Sequence, residues 1–285
     1  MSEIVTLVQA NAFYVALIVF ALLELFAPWR RHRVSLAIRW TTNGGLYAMT
    51  LLLHRVVLPA TAIEVAGSAF AAEHGLLRPL IGSEWLAAAA TVLILDACKY
   101  AEHVVLHRSA LLWRLHLVHH AETEVDFTTA ERHHPLETLG SMVLTLAIVG
   151  GLGLTAEGIL LYAILAVAVT IWSHANLQWP AVLDRTVRAV FVTPGMHFIH
   201  HSTWQPQTDS NYGVVFSFWD RIFGTYRAPE SERLDEITAG LEYFREPDDM
   251  RFLRTLALPF VRDRQAGAPL PDAGRAQPPA GEAAE

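Results

Sequence analysis

A single cysteine in 285 residues, Cys98, leaves no partner for an internal disulfide and no thiolate set for a zinc or iron–sulfur cluster. It is expected simply to pack in a helix. Charged residues are scarce, 17% of the chain, and the net charge of −7 offers no basic footprint for nucleic acid. No Gly-rich dinucleotide fingerprint and no H-E-x-x-H pair occur, which argues against a nicotinamide site and against the common zinc-hydrolase helix. The amino terminus has neither a basic region nor a small-residue cleavage site, so its apolar run reads as a retained span. Internal repeats are absent apart from the similar histidine clusters described below.

What the chain does have is apolar length. Hydrophobic residues make up 53% and the mean hydropathy is +0.31, a composition that points to a membrane protein. The apolar runs are residues 10–23, 40–53, 85–95 continuing to 107, 139–154 and 158–172. Most fall short of the roughly 20 residues of a full span, which implies tilt, polar ends or hairpins. Arg30, Arg31, Arg33 and Arg39 crowd the link between the first two runs, and 63–84 contains only Arg78. Basic residues stay in the cytoplasm. The amino terminus is then outside, the third run returns with His103 and His107 near its cytoplasmic end, and the hairpin turning at 155–157 brings His174 to the same side. The expected architecture is an all-α integral membrane protein, of the bacterial inner membrane, with four or five transmembrane or hairpin helices under a cytoplasmic, histidine-rich helical cap. Past Trp179 the hydrophobicity falls, and 185–254 reads as that cap's short helices and turns; 265–285, rich in Ala, Pro, Gly and Glu, is expected to be disordered.

Eleven of the fourteen histidines lie between 103 and 201. They form His103-x3-His107, His116-x2-His119-His120, His133-His134, a lone His174 and His197-x2-His200-His201. Offsets of three and four place side chains on one face of a helix, and a neutral imidazole is a common metal ligand. Nine or ten imidazoles exceed one site and divide naturally over two metals. Nearby carboxylates are few: Glu102, Glu122, Glu124, Asp126, Glu131 and Glu137. A nitrogen shell suits Zn, Fe, Cu or Ni, so ligand type does not choose among them. Adjacent helical residues diverge by about 100°, so only one of His133 and His134 is expected to face the metals; the reading favours His134, before Pro135. Asp96, Lys99, His103 and His107 make one polar stripe on an apolar helix. Asp96 there either pairs with Lys99 or supports the His103 imidazole from behind. Trp113, Phe127, Phe198, Trp204, Phe216, Phe218 and Trp219 are candidates to line a lipid path or to fill the core. Gly213 and Gly224 suit tight turns.

The segments DACKYAEHVVLH (96–107), LWRLHLVHH (112–120), RHHPLE (132–137), SHAN (173–176), HFIHHS (197–202), Asn211-Tyr212-Gly213 and FWDRIFGT (218–225) resemble the fatty acid hydroxylase superfamily, which includes sterol desaturases, lipid hydroxylases and alkylglycerol monooxygenase. The similarity covers roughly 90–228. It implies a membrane oxygenase with two iron ions, O2 as co-substrate and two external electrons, acting on a lipid. His103, His107, His116, His119, His120, His174, His197, His200 and His201 fall on the family's ligand motifs, His134 is a further candidate, and Asp96 and Asn176 are expected to support the ligands from outside. One departure is that His174 is followed four residues later by Gln178 instead of a second histidine, which weakens a fatty-acyl 2-hydroxylase reading. The implied organisation is 1–84 for membrane helices, 85–228 for the histidine-rich hydroxylase or desaturase domain, 229–264 for a cap extension and 265–285 for the tail. With no electron-carrying group in the sequence, electrons are expected from a separate protein such as a ferredoxin, docking near Arg185, Arg188, Arg221 and Arg227. The rival classes are a histidine-rich metal transporter, which would place ligands near the bilayer midplane, and a zinc hydrolase.

Overall fold

The computed structural model describes residues 2–31, 33–58, 60–68, 71, 75–76 and 81–261, with the backbone alone for 2–10 and 12. His32, His74 and the tail at 265–285 lie outside the described residues. Among the described residues the chain is helical, and strand pairing is limited to two isolated bridges, Phe191 with Phe216 and Ser202 with Ala239.

Five long helices build the frame: α1 Ser2–Phe26, α2 Leu36–Val57, α4 Glu84–Arg108, α6 Pro135–Leu152 and α7 Ala156–His174, with the one-turn α3 Ala62–Ala66 between α2 and α4. Three stretches among the described residues, Leu36–Ala66, Pro135–Leu152 and Ala156–His174, are long and apolar enough to cross a membrane. The first helix adds a shorter apolar stretch, Phe13–Phe26. Large side chains on these helices are exposed, including Ile18, Leu52, Leu86, Val143 and Leu161, as a lipid-facing surface requires. The α7 helix lies at the centre, packed against α1 and α4, while α2 packs on α6. Its Gly158 allows that closeness: a Cβ there would meet Thr91 Cβ at 2.4 Å and the Ala88 carbonyl at 2.7 Å.

Short elements complete the molecule: α5 Ala110–His120, α8 Ala181–Val187, α9 Pro194–His200, α10 Gln205–Thr208, α11 Phe218–Phe223 and α12 Phe252–Ala257. One extended residue, Ser109, ends α4 and starts α5, and its hydroxyl accepts from Leu112 N. A single such break turns the chain so that the last turns of α4 and of α5 approach each other. The ends meeting there are the carboxyl ends of α1, α4, α5 and α7 and the amino ends of α2 and α6.

Buried charge holds that end together. Arg39 donates to Asp126 and to the Glu124 carbonyl. Glu24 on α1 accepts from the amides of Phe127 and Asn176, and fully buried Arg132 reaches Val118 O and Asn43. Hydrogen bonds to buried charges are worth about 1.5–3 kcal/mol each and cost more when one partner is lost, so this network fixes the loop from Ala121 to Glu131 that follows His119 and His120.

Candidate metal centre

The α4 helix carries His103 and His107 four residues apart in its last turns, and α5 carries His116, His119 and His120. His174 ends α7, and the two-turn helix α9, started by Pro194, supplies His197 and His200, with His201 as its cap. All nine are buried. They sort into two groups. His103, His107, His116, His120 and His200 form one, and His119, His174, His197 and His201 form the other; within each, one nitrogen per ring lies within 4.8 Å of all the rest.

Hydrogen bonding determines which nitrogen faces inward. His103 Nδ1 meets the Tyr212 carbonyl at 2.8 Å, His200 Nδ1 the Ser210 carbonyl at 2.8 Å and His174 Nδ1 the Thr170 carbonyl at 2.7 Å. A carbonyl only accepts, so each of these Nδ1 atoms carries the proton and each Nε2 presents a bare lone pair. The bare Nε2 atoms of His103 and His200 nevertheless stand 3.0 Å apart. In the other group His174 Nε2 lies 3.3 Å from His119 Nε2 and 3.0 Å from His197 Nε2, and His197 Nε2 lies 3.2 Å from His201 Nε2. Neighbouring imidazoles on one ion, at bonds of about 2.1 Å, have nitrogens about 3.0–3.4 Å apart. Both ring nitrogens of His120 and Nε2 of His116 are buried without a hydrogen-bond partner. The residues therefore fit two metal ions held largely by nitrogen.

Electrostatics agree. Burial, reinforced by neighbouring imidazoles, pushes the pKa of His119, His120, His197 and His201 well below the ordinary histidine value, and burial brings His200 down to about 3. These rings are neutral and ready to ligate at any ordinary pH. His133 is the exception: burial opposes its charge, yet Glu137 and Glu131 outweigh burial and raise its pKa.

Carboxylates stand behind the rings. Glu137 Oε1 accepts from His116 Nδ1 at 2.9 Å and from His133 Nδ1 at 3.1 Å, and these three make a smaller third group. Asp209 lies 3.4 Å from His107 Nδ1. Sequence reasoning counted Glu137 only as a nearby acid. Its spacing of four from His133, at the start of a helix opened by Pro135, was the available signal. Asp209 and the carbonyls of Thr170, Ser210 and Tyr212 carried no signal.

Several expectations change. His134, favoured over His133, stands apart from both groups: its Nδ1 caps α6 at Leu136 N and its ring packs on Phe260. It is His133 that stacks on His119, with ring centroids 4.5 Å apart. The cause is Pro135, which makes residue 134 the helix cap and turns its side chain back on its own helix. Asp96 neither pairs with Lys99 nor backs His103. It accepts from Val215 N, Phe216 N, Trp219 Nε1 and Tyr162 OH, clamping the cap to α4. Asn176 exchanges hydrogen bonds with the Arg30 backbone and so ties the α1–α2 link to the end of α7. Asp220 closes the turn holding Tyr212 by accepting from Tyr212 N and Gly213 N. Gly213 is required because a Cβ would meet Asp220 at 2.9 Å, and Gly224 has a left-handed φ of 73°. Arg185, Arg188 and Arg227 pair with Glu230, Asp184 or Glu232, and Arg221 donates to Ser217 and the Arg188 carbonyl. These arginines bind the cap to itself.

Between α2, α4, α6 and α7 a cavity of about 590 Å3 reaches from His103, His116, His119, His174 and His197 down to His54, Ala62 and Ile159. None of the seven aromatic residues considered for a lipid path lines it. Trp113, Phe127 and Phe198 are core residues instead.

The fatty acid hydroxylase family model matches residues 88–225, the span from the middle of α4 to the turn after α11. The chain is 26% identical over 163 residues to the ornithine lipid hydroxylase of Rhizobium tropici, covering 57% of this chain and 47% of that protein. It is 31% identical over 156 residues to the alkylglycerol monooxygenase of Danio rerio, covering 53% and 31%. It is 25% identical over 218 residues to the cholesterol 25-hydroxylase-like protein of Danio rerio, covering 72% and 83%. Of the first two, the chain spans less than half the length. No solved structure matches.

Proposed function

We propose that this chain, whose residues 88–225 belong to the fatty acid hydroxylase family, is a membrane-bound oxidoreductase that oxidises a C–H bond of a lipid with O2 and two electrons from a separate carrier protein. The observation carrying this reading is the pair of converging nitrogen sets opening onto an apolar cavity inside the helical bundle. Relatives named as hydroxylases of ornithine lipid and as monooxygenases of alkylglycerols support a lipid as substrate, and iron is the metal that the family resemblance implies. Four or five helices would cross the bilayer with the histidines at its cytoplasmic face, residues 85–228 carrying the chemistry and 229–264 extending the cap.

His103, His107, His116, His120 and His200 would hold one iron, and His119, His174, His197 and His201 the other, with His133 stacked on His119 outside both sets. Bound ferrous iron supplies the activation of O2 needed to attack an unactivated C–H bond. The chain supplies the rest. The Thr170, Ser210 and Tyr212 carbonyls and Glu137 fix ring tautomers, so that Nε2 and never N–H faces the metals. The apolar cavity walls exclude water from the reacting chain and admit it from the bilayer beneath the histidines. His133, whose pKa is raised, can hold a proton next to Glu137 while His119, stacked on it, stays neutral.

The test is metal analysis of anaerobically purified protein together with mass spectrometry of lipids from a host expressing the gene under 18O2. Two irons per chain and 18O gained in one lipid class support hydroxylation; loss of two hydrogens indicates desaturation. One tightly held zinc with no oxygen-dependent change in lipids would favour a hydrolase.

A further inference from the structure

Lys99 is the only lysine in the chain, and it lines the cavity between α2, α4, α6 and α7. Its Nζ donates to Glu102 Oε2 at 2.9 Å, one residue before His103, and to Ser141 Oγ at 2.6 Å across on α6. All three residues line the cavity. A largely buried ion pair on a mostly apolar cavity wall is expensive to keep, and packing alone would favour apolar side chains of the same volume. Neither Lys99 nor Glu102 belongs to the metal-holding groups or to the Asp96 clamp. Their place along α4 is informative: Lys99 stands one turn from His103, about 6 Å along the axis, the length of a few methylene groups.

The chemistry of the trio decides what it can recognise. An ammonium has three donors, of which Glu102 and Ser141 take two, and the Ser141 hydroxyl keeps its own proton while accepting from Lys99. The charge of Lys99 is cancelled by Glu102, and Glu137 adds a further carboxylate to the same cavity. An incoming anion would thus meet no uncancelled positive side chain here and would have to shed its water. A plain hydrocarbon would leave the remaining donors unmet, which a site of this kind rejects more strongly than it rejects a change in chain length.

We propose that Lys99, Glu102 and Ser141 form a selectivity subsite for a lipid bearing an uncharged hydrogen-bonding group, a hydroxyl, amide or ester, a few carbons from the carbon that reacts. The reacting carbon is defined by the oxygenase reading above, on which this part rests; the preference for a neutral polar group is a binding property and is measured without turnover.

The experiment is displacement of a fluorescent polyene alcohol from the purified full chain, freed of metal so that no carboxylate is drawn to a bound ion, by four probes of equal length: hexadecane, hexadecan-1-ol, hexadecanamide and hexadecanoate. The wild-type protein should bind the alcohol and the amide about tenfold more tightly than hexadecane or hexadecanoate, the ratio expected from one hydrogen bond to a charged donor. Lys99→Met should bind hexadecane as before and lose the preference for the alcohol. Glu102→Gln, of nearly the same shape, leaves the lysine charge uncancelled and should raise hexadecanoate above the alcohol. Ser141→Ala should weaken alcohol binding about threefold and leave hexadecane unchanged, a check that does not depend on altering a charge. Equal binding of all four probes by the wild type, or a folded Glu102→Gln protein that gains nothing for hexadecanoate, overturns the proposal. Absence of iron or of 18O in lipid would instead overturn the oxygenase reading and leave these ratios untouched.

Discussion

Glu137 Oε1 accepts hydrogen bonds from both His116, at 2.9 Å, and His133, at 3.1 Å, so one carboxylate oxygen orients a ring of the first histidine group and the ring stacked on His119 of the second. Glu137→Gln keeps the shape but can offer an N–H where an acceptor is needed. Metal affinity should fall by about 10- to 100-fold, the usual cost of losing such a support, while the helical circular dichroism stays unchanged. Titration of metal-free protein with Fe(II) or Co(II) measures it, and unchanged affinity would remove Glu137 from the site.

The two groups make separable demands. His200→Ala should empty the group built on α4, α5 and α9, and His119→Ala the other, each cutting bound metal from two per chain to about one and abolishing turnover. His134→Ala should keep both metals and cost only about 1 kcal/mol of stability through the lost α6 cap. Metal content and thermal midpoint, measured side by side, separate these outcomes.

Acid should attack the metal-free centre. In the unfolded chain these histidines take up protons near pH 6.5, whereas His119, His120, His197, His200 and His201 are held far lower in the fold, His200 at about 3. Below pH 6.5 the unfolded state therefore binds more protons, and stability present above that pH is lost as pH falls, by up to about 1.4 kcal/mol per pH unit for each group. His133, whose pKa is raised, has the opposite sign and acts only above pH 6.5, where its stability is lost as pH rises. The thermal midpoint of metal-free protein should fall steeply as the pH is lowered below about 6.5. A flat profile would mean that the rings are solvated.

Asp96 should prove structural. Asp96→Ala strips an acceptor from Val215 N, Phe216 N, Trp219 Nε1 and Tyr162 OH together. Leaving several buried donors unmet costs about 1–3 kcal/mol apiece, so the cap should loosen and trypsin should cut at Arg221 and Arg227. Asp96→Asn should lie between the wild type and Asp96→Ala on the same assay.

Labelling of introduced cysteines in sealed vesicles should place the segments around Arg31, Thr123 and Tyr226 in the cytoplasm and Gly75 outside. Opposite faces for Thr123 and Tyr226 would dissolve the single cap.

The helical bundle and the nine clustered histidines were legible in the sequence because both are periodic: apolar length marks the helices, and offsets of three and four put rings on one face. The division into two groups was not legible, since His116 and His120 go one way and His119 the other on a single helix, a choice made by the α4–α5 break at Ser109. His134, favoured by motif spacing, lies outside both histidine groups because the proline after it makes it the cap of α6. Asp96 shares a polar stripe with His103, but three of its four partners, Val215, Phe216 and Trp219, lie more than a hundred residues away, in a turn whose position only tertiary packing determines.

The facing rings of His103 and His200 are 97 residues apart in the chain, and the carbonyl that fixes His103 belongs to Tyr212, itself held by Asp220. The centre is therefore among the last things to exist during biosynthesis. The long helices can form while the ribosome is still at work, but neither set of nitrogens is complete until α9 and His201 have emerged and folded back. Any metal would then be taken up by a nearly finished chain and not threaded in as it is made, and a product stopped before His197 would carry neither complete group.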